Sequence, residues 1–315
     1  VFRQQRKQFL TTKLFQRGFT LCGIYGAINA GQKSLDMGII RGLTLANRER
    51  GKESLGFFNS NGEMLKRGKD PIDVLTEEDC TKFLDETEQR RDWFVVGHTR
   101  YSTRGRVCDE NSHPFEYNQV IGAHNGCIDA PASYSVDSEY AIDLLSQNNS
   151  DYQKALENES GYWTLAWFDK ERQELFLSMY HNTCGLVKYR DIWYFSSDPD
   201  HLATVVGSRD MIKLTDGQSV SFKPDGKMRW RPKFKSNQTG RYRKNWKTSG
   251  KSSTTQSYSG YTGYGTGASS GSTTKVSGSS SNVSSSTKVA DPESKIRDFD
   301  EEFSELWKQY SQVHG

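Results

Sequence analysis

Cys22 stands just before a short apolar run, Ile24 to Ile28, with Gly23 between them. A thiol becomes a nucleophile only when a neighbour takes its proton or holds it ionised; otherwise a cysteine beside glycine is a small buried hydrophobe, its commoner use. Chemical weight comes from farther along the chain. Gly97-His-Thr-Arg-Tyr-Ser-Thr103 is followed by Asn111-Ser-His-Pro114, Ala123-His-Asn-Gly126 and Val136-Asp-Ser-Glu139. Each has a plainer use: Arg100 as a structural ion-pair residue, Asn125-Gly126 as a hairpin turn, and Asp137 with Glu139 as a simple acidic cluster. His98, His113 and His124 are expected to orient loops or to be satisfied inside the fold, without catalytic or metal roles. Five cysteines form no CxxC pair and no metal-like spacing with His, so Cys80, Cys108, Cys127 and Cys184 read as ordinary thiols.

The four motifs, in this order and at these spacings, resemble the class II glutamine amidotransferases, glutaminase domains of the N-terminal nucleophile hydrolase superfamily. They are most similar to the glutaminase half of glucosamine-6-phosphate synthase and of amidophosphoribosyltransferase. Weaker matches are Arg50-Gly51 with Glu53-Ser-Leu-Gly56, Lys66-Arg-Gly-Lys69, and Tyr194-Phe-Ser-Ser-Asp198. The resemblance implies an α+β fold, a four-layer αββα sandwich over residues 22–225. It also implies hydrolysis of the glutamine side-chain amide through a thioester on Cys22, with release of ammonia. The base in this family is the free α-amine of the same cysteine, which titrates near ~8. Residues 1–21 must then be removed, with Leu21–Cys22 the expected scissile bond. By resemblance, the Asn125 side-chain amide and the Gly126 N–H bind the oxyanion. Arg100, with Tyr101 and Thr103, takes the substrate carboxylate, and Asp137 takes its ammonium. No cofactor or metal is implied. One departure stands out: Tyr180-His-Asn-Thr-Cys-Gly-Leu186 replaces the family's arginine and Ser-Pro-Leu-like segment behind the active site.

The elements that must position these groups are strand-like runs and two helix-like stretches. The strands are expected at Ile24 to Ile28, Trp93 to Gly97, Gln119 to Ala123, Tyr162 to Phe168, Glu174 to Met179, Ile192 to Ser196 and Gln218 to Phe222. Asp169–Lys170 joins the fourth and fifth as a hairpin. Apolar spacing of three to four residues predicts helices at Leu35 to Asn47 and Ser138 to Ser146.

Outside 22–225 the composition changes. Residues 1–21 are basic, contain no Asp or Glu, and carry Phe2, Phe9, Phe15 and Phe19 with Leu10 and Leu14; they read as a propeptide, an organelle-targeting presequence or an upstream extension. Between Gly226 and Ala290 there is no acidic residue, and the text becomes Ser, Thr, Gly and Tyr, a disordered linker in expectation. Asp291-Pro292-Glu293 is a helix start, followed by an apolar seam at Ile296, Phe299, Phe303, Leu306, Tyr310 and Val313. That 291–315 helix is expected to dock on a partner, on another copy or on the globular domain.

A formal charge of +3 does not argue for nucleic acid as the main partner. The stretch Lys227 to Lys251 nevertheless interleaves ten Lys or Arg with Trp230, Tyr242 and Trp246, a composition that can track a phosphate backbone. No apolar run approaches a membrane span, and unpaired thiols point to a cytoplasmic setting. No ammonia-consuming domain is recognisable, so the expected partners are L-glutamine and a separate synthase chain. The alternatives are an N-terminal nucleophile hydrolase acting on another amide, such as a γ-glutamyl compound, or a non-catalytic protein that keeps the fold.

Overall fold

Side chains of a strand alternate between its two faces, and in β1 (Gly23–Asn29) both faces are apolar. Tyr25 and Ala27 enter one buried cluster while Ile24 and Ile28 enter another. β4 (Phe94–Arg100), hydrogen-bonded beside it, divides in the same way, with Val95 against Phe94 and Val96. A sheet that is apolar on both faces must be covered on both, and this requirement sets the architecture. The computed structural model describes residues 22–29, 33–148 and 151–233.

The first sheet has seven strands in the order β11-β9-β10-β1-β4-β2-β3. Here β2 is Ser54–Asn59, β3 Met64–Arg67, β9 Gly185–Tyr189, β10 Ile192–Ser196 and β11 Ile212–Lys213. The second has six, β13-β12-β8-β7-β6-β5, formed by β5 (Phe115–Tyr117), β6 (Val120–Ile128), β7 (Gly161–Asp169), β8 (Glu174–Tyr180), β12 (Ser219–Phe222) and β13 (Arg229–Trp230). Every pairing between the described strands is antiparallel.

Three apolar clusters mark the contacts between four layers. Ile24, Phe94 and Val96 meet Ile121, Phe168 and Leu177 between the sheets. On the outer face of the first sheet, Ile40 and Leu43 of α1 (Met37–Arg48), Val74 of α2 (Pro71–Leu75), Phe83 of α3 (Glu78–Gln89) and Leu202 of α6 (Pro199–Val206) pack on Tyr25, Phe57 and Tyr194. On the outer face of the second, Ile142 and Leu145 of α4 (Asp137–Gln147) and Leu156 of α5 (Tyr152–Glu157) cover Leu165, Trp163 and Trp167. This is the αββα sandwich.

Several expected elements shift. Leu35 precedes α1, which is capped by the Asp36 carboxylate accepting the Ile39 N–H at 3.1 Å. Trp93 lies outside β4, which instead runs on to Arg100. β6 continues through Ile128, so Asn125-Gly126 is strand and not a hairpin turn. The β7–β8 hairpin forms as expected, with Asp169 opposite Glu174. Among the described residues no helix is long and apolar enough to cross a membrane. Residues 1–21, the linker beyond 233 and the 291–315 helix, along with most of the basic aromatic stretch, lie outside the described residues.

Candidate active site

The chain enters β1 from Cys22, and β1 lies directly beside β4, whose last residue is Arg100. This neighbourhood brings the thiol against the loop that follows Arg100. The Tyr101 N–H donates to Cys22 Sγ and the thiol donates to the Tyr101 carbonyl, each at 3.4 Å. Burial pushes the Cys22 thiol up, and the Tyr101 N–H, Arg100 and Arg50 oppose that rise while Asp137 adds to it. Sequence positions 22, 50, 100 and 137 therefore meet in one electrostatic neighbourhood.

Arg50 holds the backbone of Cys22. Its Nε donates to the Cys22 carbonyl at 3.1 Å, and its Nη1 pairs with Asp198 at 2.7 Å. Asp198 in turn caps α6, accepting from Asp200 N–H and His201 N–H at 3.0 and 3.2 Å. Gly51 follows because a Cβ there would sit 2.5 Å from the Arg100 backbone. Glu53 ties the same region from the other side: its N–H donates to the Arg100 carbonyl at 3.1 Å and its carboxylate accepts the Ser102 N–H at 2.5 Å.

Arg100 is buried, with its guanidinium donating to the Arg106 and Arg104 carbonyls at 3.2 and 2.6 Å. Two bonds out of five N–H donors leave capacity for an anion. Tyr101 and Thr103 are exposed on the loop. Asp137 opens α4, and its carboxylate accepts the Ile128 N–H at 3.1 Å.

Asn125 is fully buried, and its Nδ2 donates to Ser197 Oγ at 3.1 Å. The same hydroxyl accepts the Ile24 N–H at 3.0 Å, so one serine connects Asn125 to the strand that carries Cys22. Gly126 has φ +152°, and a Cβ there would lie 2.0 Å from the Tyr162 carbonyl oxygen; only glycine fits. The ladder also sets the direction of its N–H. Bonds from Lys170 N to Gln119 O and from Asp129 N to Ser160 O show that odd-numbered residues of this stretch exchange bonds with the β7 side. Gly126, opposite Trp163, is in the alternate class, so its N–H turns away from β7.

The three histidines are buried beside the site. His98 and His113 rings lie 3.7 Å apart, His98 Nε2 reaches the His124 carbonyl at 3.2 Å, and His124 Nδ1 meets Ser138 Oγ at 3.0 Å. Burial lowers the affinity of all three for a proton, so they are neutral at neutral pH. His113 is less satisfied than expected, since neither ring nitrogen has a hydrogen-bond partner among the described residues. Ser197 and Asp198 were visible in sequence only as parts of a matching run. Asn182, which donates to the Asn125 carbonyl at 2.9 Å, was visible only as a member of the Tyr180–Leu186 segment, with no role attached to it.

No protein-family model matches the chain. It is 36% identical over 117 residues to the amidophosphoribosyltransferase of Drosophila melanogaster, covering 33% of this chain and 20% of that protein. It is 37% identical over 113 residues to the isomerizing glutamine–fructose-6-phosphate aminotransferase of Thermococcus kodakarensis, covering 35% and 17%. A longer match, 26% identical over 226 residues, joins it to the same aminotransferase of Xanthomonas campestris and covers 65% and 36%. The chain spans about a fifth of the length of the first two relatives. Among solved structures, a B. subtilis glutamine phosphoribosylpyrophosphate amidotransferase, complexed with ADP and GMP, superposes with TM-score 0.50 at 16% identity over 67% of this chain and 49% of that one. An allosteric regulatory enzyme of purine biosynthesis gives 0.53 at 16% identity over 67% and 48%. Over about a third of its length the chain is thus similar in sequence to class II glutamine amidotransferases, and its described residues share the fold of the two solved enzymes.

Proposed function

We propose that residues 22–225 hydrolyse the side-chain amide of L-glutamine, with Cys22 as nucleophile once it is the first residue. The observation that carries this reading is the convergence around one thiol of Arg50, the adjacent Arg100 and Tyr101, and Asp137, from three separate segments. Asn125 is linked through Ser197 to the strand that begins beside that thiol.

The thiol's raised proton affinity makes a base necessary. A peptide nitrogen cannot serve, whereas a free α-amine at Cys22 titrates near ~8 and is attached to the nucleophilic residue. It takes the Sγ proton as sulfur attacks the substrate carbonyl carbon. The C=O electron pair moves to oxygen, held by the Gly126 N–H and the Asn125 amide. Collapse expels ammonia, protonated by the same amine, and leaves a thioester. Water then adds and glutamate departs, returning the thiol. Arg100 binds the substrate carboxylate with the donors that the loop does not use, Tyr101 and Thr103 lie beside it, and Asp137 pairs with the substrate ammonium. Released ammonia goes to a separate synthase chain, which the segment 291–315 tethers; tethering raises effective concentration to about mM.

The test is ammonia release from glutamine by the chain beginning at Cys22, by the same chain with Cys22→Ala, and by the chain that retains Val1. Only the first should be active. Activity that survives Cys22→Ala would overturn the assignment, and activity on γ-glutamyl peptides without activity on glutamine would move it to another amide.

A further inference from the structure

Asn182 lies in the segment that joins β8 to β9, and its amide is held at both ends. Its Oδ1 accepts the Thr183 N–H at 2.9 Å, and its Nδ2 donates to the Asn125 carbonyl at 2.9 Å. These partners leave no choice of orientation, because an N–H can only donate and a carbonyl can only accept. Thr183 is itself anchored: its hydroxyl donates to the Ser197 carbonyl at 2.6 Å, and its own carbonyl accepts from Thr164 Oγ1 at 2.8 Å. The segment thus grips Asn125 and Ser197, the two residues of the polar bridge to β1.

We infer that Asn182 is a positioning residue that fixes and polarises the peptide between Asn125 and Gly126. The inference rests on the function proposed above. The carbonyl that Asn182 binds and the Gly126 N–H belong to one peptide group. In a trans peptide the two point in opposite directions, so Asn182 sits behind the face that the N–H presents. A hydrogen bond to the carbonyl draws electron density toward oxygen and strengthens the N–H as a donor. It also restrains a peptide plane whose second residue, Gly126, has the freest backbone of any residue type. His98 does the same for the preceding peptide through the His124 carbonyl. Two successive carbonyls are therefore held by side chains just before the oxyanion donor.

The experiment compares Asn182→Ala and Asn182→Asp with the parent, in the full chain with its amino terminus read by intact mass and in the chain starting at Cys22. Asp keeps an acceptor for the Thr183 N–H but sets a second oxygen against the Asn125 carbonyl, so it decides the matter should Ala fail to fold. Expected is about a tenfold loss of kcat with KM for glutamine within twofold, since a positioning contact gives less than a whole oxyanion donor. The aldehyde analogue of glutamine adds the thiol across its carbonyl to give a thiohemiacetal, so its affinity should fall by the same factor while affinity for product glutamate stays constant. A merely structural role would move glutamate affinity and stability together. Unchanged kcat in both variants of an active parent would overturn this inference alone, and an inactive parent would overturn it with the function on which it rests.

Discussion

Replacing Asp198 by Asn removes the charge opposite Arg50 while leaving a side chain equally suited to cap α6. Burial raises the Asp198 carboxyl, but the charges of His201 and Arg50, with the His201 N–H, overcome it and hold the group down at about 2. From an ordinary value of 3.8 that is a little under two units, or about 2.4 kcal/mol at ~1.36 per unit. Both partners are mostly shielded, with side-chain exposures of 13% for Arg50 and 16% for Asp198, so solvent screening removes little. The folded-state value is depressed, so this stability is complete above the unfolded value and is lost as pH falls through about 2. Burial holds His201 below its usual value, so its charge is largely absent at pH 7, and Asp198→Asn should cost at most about 2.4 kcal/mol there, or up to about 5–10 °C in Tm for a domain of this size. By pH 2.5 the gap between parent and variant should narrow to about a third of that. Urea titrations followed by tryptophan fluorescence at the two pH values read the difference directly. A gap of constant size would mean that shape or capping, not charge, is responsible; no gap at pH 7 would mean the pair contributes nothing. Because Arg50 also holds the Cys22 carbonyl, the variant should lose the proposed glutaminase activity beyond what its stability explains.

Gly161 faces the same constraint as Gly126, with φ +146° and a Cβ position 2.0 Å from the Cys127 carbonyl oxygen. Gly161→Ala should cost about 3 kcal/mol in chemical denaturation, and a neutral result would refute this strand geometry. Leu177→Ala, fully buried between the sheets, should cost about 2–5 kcal/mol on the same assay. Burial pushes the Cys80 and Cys184 thiols up to about 11 and about 12. Native protein at pH 8 should take an alkylating reagent on no more than the other three of five cysteines, counted by intact mass. The same raised values predict stability that is lost as pH climbs past about 9, since the unfolded thiols ionise first.

The strands that were legible in sequence are those whose apolar content leaves no other use. Tyr162 to Phe168 and Ile192 to Ser196 match β7 and β10 closely. β2 went unread because its residues, Ser-Leu-Gly-Phe-Phe-Asn, open on polar and flexible types. α3 was hidden for a related reason: only Cys80, Phe83, Leu84 and Thr87 are buried in a helix otherwise polar and acidic. At the site, motif residues such as Cys22 and Arg100 were legible because their spacing along the chain is distinctive. Their supports were not. Asn182 bonds to Asn125 across 57 positions, a contact made because β6, β7 and β8 lie side by side in the second sheet and by no local pattern.

The strands at the margins of the two sheets have a consequence for how this chain behaves in a crowd. β3, β11, β5 and β13 contain four, two, three and two residues. A strand that short offers a passing chain one or two rungs of unpaired amides, too few to seed intermolecular pairing. The segment best suited to such pairing, Tyr-Trp-Thr-Leu-Ala-Trp-Phe in β7, combines high β-propensity with no charge, and it sits between β6 and β8 with both edges occupied. Aggregation of this protein should accordingly wait on unfolding of the second sheet and follow the concentration of chains that have released β7. Losses of stability at Gly161 or Leu177 would then be seen first as insoluble material and only afterwards as lost turnover.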